Sequence, residues 1–170
     1  MAAISGDQLR ELQAPLKERY RDNPGSALIT LEADGTLDEG ISCSVSTGQA
    51  LVRAGLHSDT GGDGSLACSG DMLLQALAAC AGVTMRSVAT AMEIEVSGTV
   101  HAEGDLDWRG TLAVDKEAPV GFKAIRMRFD LQSDASDEQL ETLQRLTERY
   151  CVVLQTLASS PALSVSRQQP

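Results

Sequence analysis

Aromatic side chains are scarce: one Trp, two Tyr and two Phe make up 3% of the 170 residues. A core of this size must therefore be filled by Leu, Val, Ala and Ile. Positive charge is also short, with 14 Lys and Arg against 24 Asp and Glu, giving a formal net charge of −10 and a pI of about 4.6. Such a surface suits neither the polyanionic backbone of nucleic acid nor an anionic membrane leaflet, so neither is expected as a partner. No apolar run is long enough to span a bilayer. The longest charge-free run inside an apolar stretch, Met72 to Met85, has 14 residues, where about 20 are needed. The segment Met1 to Arg21 carries Asp7, Arg10, Glu11, Lys17, Glu18, Arg19 and Arg21 and no apolar stretch of its own. It does not read as an export signal, and the expected location is cytoplasmic. The four cysteines Cys43, Cys68, Cys80 and Cys151 are then mainly reduced and form no disulfide framework. No two of them are spaced as a local zinc-binding pair, and neither a metal nor an organic cofactor is expected.

What is present is a foldable chain. Hydrophobic residues make up 42%, too many for a disordered polymer. The length suits one domain, 1–170, and no linker, repeat or low-complexity tract divides it. Leu9, Leu12 and Leu16 place one apolar side on a short helix over Asp7 to Arg21, which Asn23-Pro24-Gly25 ends. Ala27 to Glu32 alternates as a strand, Asp34-Gly35 reads as a hairpin turn, and Thr36 to Thr47 and Gln49 to His57 as two further strands. The Gly- and Ser-rich loop Ser58 to Gly70 leads into a helix over Asp71 to Met92, with Ser69 as its cap. The first half of that helix is apolar nearly all round, so burial on all sides is expected.

Glu93 to Glu103 and Gly121 to Leu131 alternate as strands, and Thr111 to Val114 is a shorter candidate. Ser136-Asp137-Glu138-Gln139 is a capping box. The helix it opens turns Leu140, Leu143, Leu146 and Tyr150 inward and continues through Cys151 to a stop at Pro161. Ala162 to Arg167 reads as a last edge strand. Strands clustered in runs, not alternating singly with helices, give an α+β fold.

Cysteine is the residue type with the most chemistry. Cys80 falls three turns into the apolar helix, where a buried thiol is ordinarily an inert core group. The helix dipole fades within the first turn, so ionising Cys80 requires a cation from another element. Cys151 carries the same alternatives, and sequence does not establish whether the two approach one another. Cys43 and Cys68 default to strand packing and loop exposure. His57 and His101 are isolated and read as structural. The Gly61-Gly62-Asp63-Gly64 loop lacks the residues of a phosphate-binding loop.

Two segments carry a family resemblance. Asp59-Thr60-Gly61-Gly62, with Ser69-Gly70-Asp71 and Leu73 to Cys80 (LLQALAAC), resembles the first cysteine motif of the OsmC/Ohr superfamily. Glu148 to Leu157 (ERYCVVLQTL) is similar to its second motif, and Ala162 to Ser166 to its closing strand. The resemblance spans roughly 27–167 and leaves 1–24 as an N-terminal helical extension. It implies an OsmC-like fold, with curved antiparallel sheets around two central helices in an intertwined homodimer. It also implies an activity, the thiol-dependent reduction of organic hydroperoxides in oxidative-stress defence. Cys80 would be the peroxidatic thiolate and Cys151 the resolving thiol. The partners would be a small hydrophobic hydroperoxide and an external dithiol reductant of the dihydrolipoamide type.

This chain departs from the pattern in places. Val152 stands where many members have the proline after the second cysteine, which leaves the helix free to continue. Gly70 stands where hydroperoxide-resistance members have a glutamate that holds an activating arginine. Asp71, one position later, either favours the start of the helix, the role given the larger share, or substitutes for that carboxylate, and Arg53 is the candidate activating arginine, ahead of Arg86 and Arg149. The alternatives are a non-catalytic OsmC-like dimer binding a small hydrophobic ligand, and a thiol redox sensor.

Overall fold

The computed structural model describes residues 6–37, 43–45 and 54–167. Helix α1 spans Gly6–Asp22 and ends against a 3-10 turn at Pro24–Ala27. Its inward side is not the leucine stripe alone: Leu12 is exposed, whereas Leu16 is half-buried and Tyr20 fully buried. Tyr20 donates its hydroxyl to the Asp59 carbonyl at 2.7 Å, and Gln13 donates to the Thr60 carbonyl at 3.1 Å. These two bonds clamp α1 onto the loop that precedes the central helix.

Strand β1, Leu28–Leu37, runs straight through Asp34-Gly35, so the hairpin expected there does not form. The reason is non-local. β1 pairs antiparallel with a later strand from Leu28↔Asp107 to Thr36↔Thr99, and a continuous ladder outweighs a local turn preference. β2, Cys43–Val45, pairs antiparallel with its end. β3, Ala54–Gly55, and β4, Ala67–Cys68, form a separate short parallel pair. Of the two strands expected over 36–57, most residues lie outside those described.

Helix α2 spans Ser69–Ala91, with Cys68 and not Ser69 at the cap position. By length and composition it could cross a membrane, but its inward residues Leu74, Leu77, Ala78, Ala81, Met85 and Ala89 form the centre of the core. The burial is one-sided, contrary to the expectation from its composition. Leu73, Ala76 and Val83 are exposed at helical spacing, with half-buried Cys80 in the same row.

β5, Ser97–Asp107, begins with Gly98 at φ +136°, where only glycine is unstrained. It buries Val100, Ala102 and Leu106 on alternate positions against α2. Trp108–Thr111 then forms a single helical turn, α3, in place of the short strand expected at Thr111 to Val114. Asp107 causes this by accepting from the Arg109 N–H at 3.1 Å as an N-cap. β6, Ala124–Gln132, completes a sheet of order β2-β1-β5-β6. It turns Ile125, Met127, Phe129 and Leu131 inward, and its outward Arg126 bonds Glu103 and Asp105 on β5.

Helix α4, Asp137–Tyr150, opens with the capping box. Gln139 N–H donates to Ser136 Oγ at 3.3 Å, and Ser136 N–H donates to Gln139 Oε1 at 3.0 Å. Its inward positions are Leu143 and Thr147, and Tyr150 is exposed instead of inward. The buried Thr147 hydroxyl is satisfied by the Leu143 carbonyl at 2.8 Å. A final helix, α5, spans Val152–Ala158. α4 and α5 pack on α2, which packs in turn on β1 and β5. The layers are thus sheet, central helix, and helix pair. Residues 160–167 form no strand: they have no ladder partner among the described residues, and Leu163 and Val165 are almost fully exposed.

Asp107 is buried and accepts from both Nε and Nη2 of Arg109, the shortest bond being 2.6 Å. Those bonds first, with burial opposing, hold its carboxyl below the usual aspartate range. Its contribution to stability is complete above the ordinary aspartate pKa of about 4, and is lost as pH falls through the depressed value. Asp107→Ala should destabilise the fold by about 2 kcal/mol at neutral pH, measured by urea unfolding, with the difference shrinking in acid.

Candidate functional site

The thiols meet because α4 does not continue into α5. Cys151 adopts an extended backbone, φ −70° and ψ 107°, between the two helices. A helix running through Cys151, the expectation from Val152, is therefore not what forms. Helical bonding closes on both sides of the break: Cys151 N–H donates to Thr147 O at 2.9 Å, and Gln155 N–H to Cys151 O at 2.9 Å. The Gln155 side chain donates back to the Glu148 carbonyl at 2.8 Å, satisfying an acceptor that the break releases. The β-branched pair Val152-Val153 resists helix weakly and lowers the cost of interruption. The first amides of α5 have no acceptor within their own helix, and they turn to sulfur.

Cys80 is half-buried on α2, and Cys151 is fully buried at the break. Burial acts most strongly on Cys80 and would push its thiol up. The Val153 N–H, the Cys151 thiol, the Val152 N–H and the Thr84 hydroxyl all donate to the sulfur, and together they bring its pKa below the ordinary cysteine value. Cys151 moves the other way, to about 11. Its burial comes first. The Leu154 and Val153 amides pull it down only in part, while donating its proton to Cys80 and facing the charge there hold it up. Cys80 is therefore the more acidic of the two thiols, and Cys151 at the break donates to it. Chemically this is a nucleophile with a second sulfur within reach.

The other residues singled out from the sequence are spread more widely. Arg53 lies outside the described residues. Asp71 sits in the first turn of α2; burial raises its pKa, and nearby His57 opposes the rise. Arg86 donates to the Val96 carbonyl at 2.6 Å, and Arg149 lies over the Tyr150 ring at 5.5 Å. Neither is among the groups that act most strongly on Cys80. His57 stacks on Trp108, with centroids 5.2 Å apart, and accepts from Asp59 N–H; His101 lies 3.6 Å from Glu103 on the sheet. Cys68 is buried beside the start of α2.

Sequence reasoning missed Thr84 and the amides of Val152 and Val153. Thr84 was findable, since it stands one helical turn beyond Cys80. The amides carried no sequence signal, because every residue but proline has one.

Beside the thiols runs an apolar groove of about 590 Å³, walled by Leu73 and Leu77 of α2, Leu154 and Leu157 of α5, and Phe122 and Met127 of the sheet side. Leu77 precedes Cys80 by one turn and Leu154 follows Cys151 by one turn, so the groove adjoins the pair. A larger recess of about 810 Å³, lined by Arg86, Glu93, Glu95 and Asp134 among others, is polar; neither Cys80 nor Cys151 is among the described wall residues of either cavity.

A central helix on an antiparallel sheet, carrying a thiol of lowered pKa that accepts from a second, buried thiol, defines a dithiol domain of α+β architecture. The family model described as OsmC-like protein matches residues 62–166, and the chain belongs to that family. Among solved structures it is similar to the 1.70 Å crystal structure of an OsmC-like hydroperoxide resistance protein from Jannaschia sp. CCS1. The identity is 16% over 81% of this chain and 91% of that one, with a TM-score of 0.58. At that identity the likeness is one of fold. No curated protein matches the chain.

The split between the thiols predicts selective alkylation. Iodoacetamide should modify Cys80 ahead of Cys151, with a Cys80 midpoint below the ordinary cysteine pKa of about 8.5. Thr84→Val and Cys151→Ala should each raise the Cys80 midpoint, read by mass spectrometry across pH.

Proposed function

We propose that this protein reduces organic hydroperoxides, with Cys80 as the peroxidatic thiolate and Cys151 as the resolving thiol. The observation that supports the reading is a Cys80 thiol whose pKa is lowered by hydrogen bonds, one of them from Cys151, near an apolar groove and in a chain of the OsmC-like family. The hydroperoxide-resistance relative of the same fold adds support.

The chemistry balances as follows. The Cys80 sulfur attacks the terminal oxygen of ROOH, the O–O bond breaks, and the alkoxide takes a proton and leaves as alcohol. The sulfur is oxidised by two electrons to sulfenic acid. Once Cys80 is neutral, its charge no longer holds the Cys151 proton in place, so oxidation of the first thiol favours ionisation of the second. The Cys151 thiolate then attacks the sulfenic sulfur and displaces hydroxide, which leaves as water, to form a disulfide. An external dithiol returns both thiols and is itself oxidised to a disulfide. Val153, Val152 and Thr84 serve as positioning donors to the attacking sulfur, and no metal or organic cofactor enters the cycle. Arg53 and Asp71 remain the proposed outer pair, with Arg53 bringing positive charge toward Cys80 and Asp71 orienting it.

We also propose that the protein is a homodimer in the cytoplasm, with 27–167 as the OsmC-like core and 1–24 as an added helix. The uncovered row Leu73, Ala76 and Val83 on α2, and the exposed Leu163 and Val165, are the apolar surface that a second copy would cover. Because Cys80 lies in that row, such a dimer would close the site from outside. Val83→Glu should convert the dimer to monomer, as measured by light scattering coupled to size exclusion.

A second reading, a ligand-binding domain without turnover, is favoured by one observation. No guanidinium is among the strongest influences on Cys80 in the described residues. Mutants separate the two. Cys80→Ser should abolish turnover of cumene hydroperoxide. Cys151→Ser should allow one stoichiometric oxidation and then over-oxidation of Cys80. Peptide mapping of the peroxide-treated wild type should find a Cys80–Cys151 disulfide. Full turnover by Cys80→Ser would eliminate the peroxidase assignment.

A further inference from the structure

We propose that Gly104 and Phe122 together set the width of the apolar groove, and so the bulk of the hydroperoxide substituent that it admits. The inference deepens the hydroperoxide reading given above and rests on it for the identity of the substrate.

Gly104 lies in the middle of the sheet, opposite Ile125 of β6 and Leu31 of β1. It shares the inward side of β5 with buried Val100, Ala102 and Leu106. Its backbone does not adopt a left-handed conformation, so what demands glycine here is room. A Cβ at this position would stand 2.6 Å from both Cδ1 and Cε1 of Phe122, and 3.3 Å from the Ala124 carbonyl oxygen. Both ring distances are far inside van der Waals contact.

The Phe122 ring is thus seated directly on the bare backbone of β5. The segment behind it is pinned, because Lys123 N–H donates to the Asp105 carbonyl at 2.8 Å. The ring is half-buried and forms part of the groove wall, facing Leu73 and Leu77 of α2 and Leu154 and Leu157 of α5. With the sheet behind it and the groove in front, the ring has one direction in which to yield. A methyl group on residue 104 drives it into the groove, toward the helices that carry the two thiols. The glycine therefore keeps the groove open, and the phenylalanine is the movable wall whose size sets the limit. Both are positioning residues for specificity, since neither touches the reacting sulfur.

The test uses the full chain and two readouts. The first is the affinity for cumyl alcohol, the unreactive product of cumene hydroperoxide, followed by NMR titration. The second is KM and kcat for cumene hydroperoxide and for the smaller tert-butyl hydroperoxide. Gly104→Ala should weaken cumyl alcohol binding and raise KM for cumene hydroperoxide by roughly tenfold, the scale of one misplaced methyl in an apolar pocket. KM for tert-butyl hydroperoxide and both kcat values should stay within about twofold, the margin inside which apolar contact is unaltered.

Adding Phe122→Leu to Gly104→Ala should restore the bulky ligand. Phe122→Leu alone should shift the KM ratio toward the bulkier peroxide, and it carries the test should Gly104→Ala fail to fold. The proposal is overturned if the wild type does not bind cumyl alcohol, if Gly104→Ala affects both peroxides alike, or if neither Phe122→Leu variant moves the ratio. Should the wild type bind cumyl alcohol with this variant pattern yet turn over neither peroxide, the groove assignment stands and the peroxidase reading fails.

Discussion

The hydrogen bond from the Cys151 thiol to the Cys80 sulfur depends on a single non-helical residue. Were α4 to continue into α5, the amides of Val152, Val153 and Leu154 would bond to carbonyls one turn back and be lost to the sulfurs. The extended backbone at Cys151 frees them, and Gln155 limits the cost by covering the Glu148 carbonyl. The rest of the architecture holds the two sides of this contact. The sheet and its buried row Val100, Ala102 and Leu106 fix α2, and the capping box and Thr147 fix α4.

The Cys80 pKa is lowered by two amides, one hydroxyl and one thiol, and no cation is among its strongest influences in the described residues. In a protein with a net charge of −10 this has a physical logic. Amides stabilise an anion by short-range hydrogen bonding, which the long-range field of surface carboxylates does little to cancel, especially across water and salt. The coupling between the thiols adds an order to the chemistry. Cys151 keeps its proton as long as Cys80 carries charge, and gives it up more readily once that charge is gone.

The apolar surfaces of the molecule meet at α2, where Leu73 belongs both to the groove wall and to the exposed row that also carries Cys80. Helix α1 takes no part in the groove wall. Through Tyr20 and Gln13 it grips the loop at Asp59 and Thr60, which leads into α2, so it acts on the start of the central helix and not on its thiol.

Local patterns were legible wherever neighbours in sequence decide the outcome. The α+β class, the central helix, the Ser136–Gln139 capping box and the alternation over Ile125 to Leu131 all follow from periods of 3.6 and 2 or from a cap within one turn. The cysteine motifs pointed to the family. The misreadings fell where a distant segment decides. Asp34-Gly35 was drawn out of a turn by the strand that carries Val100 and His101, and residues 162–167 have no ladder partner among the described residues. Thr111 to Val114 yielded to the cap that Asp107 provides. By itself the sequence determined which residues could be helix, strand or nucleophile, because those are properties of side chains and their spacing. Only the tertiary structure decided that one thiol donates to the other and that backbone amides lower the pKa of Cys80. Amides are common to almost every residue, and their direction is set by how separate helices pack.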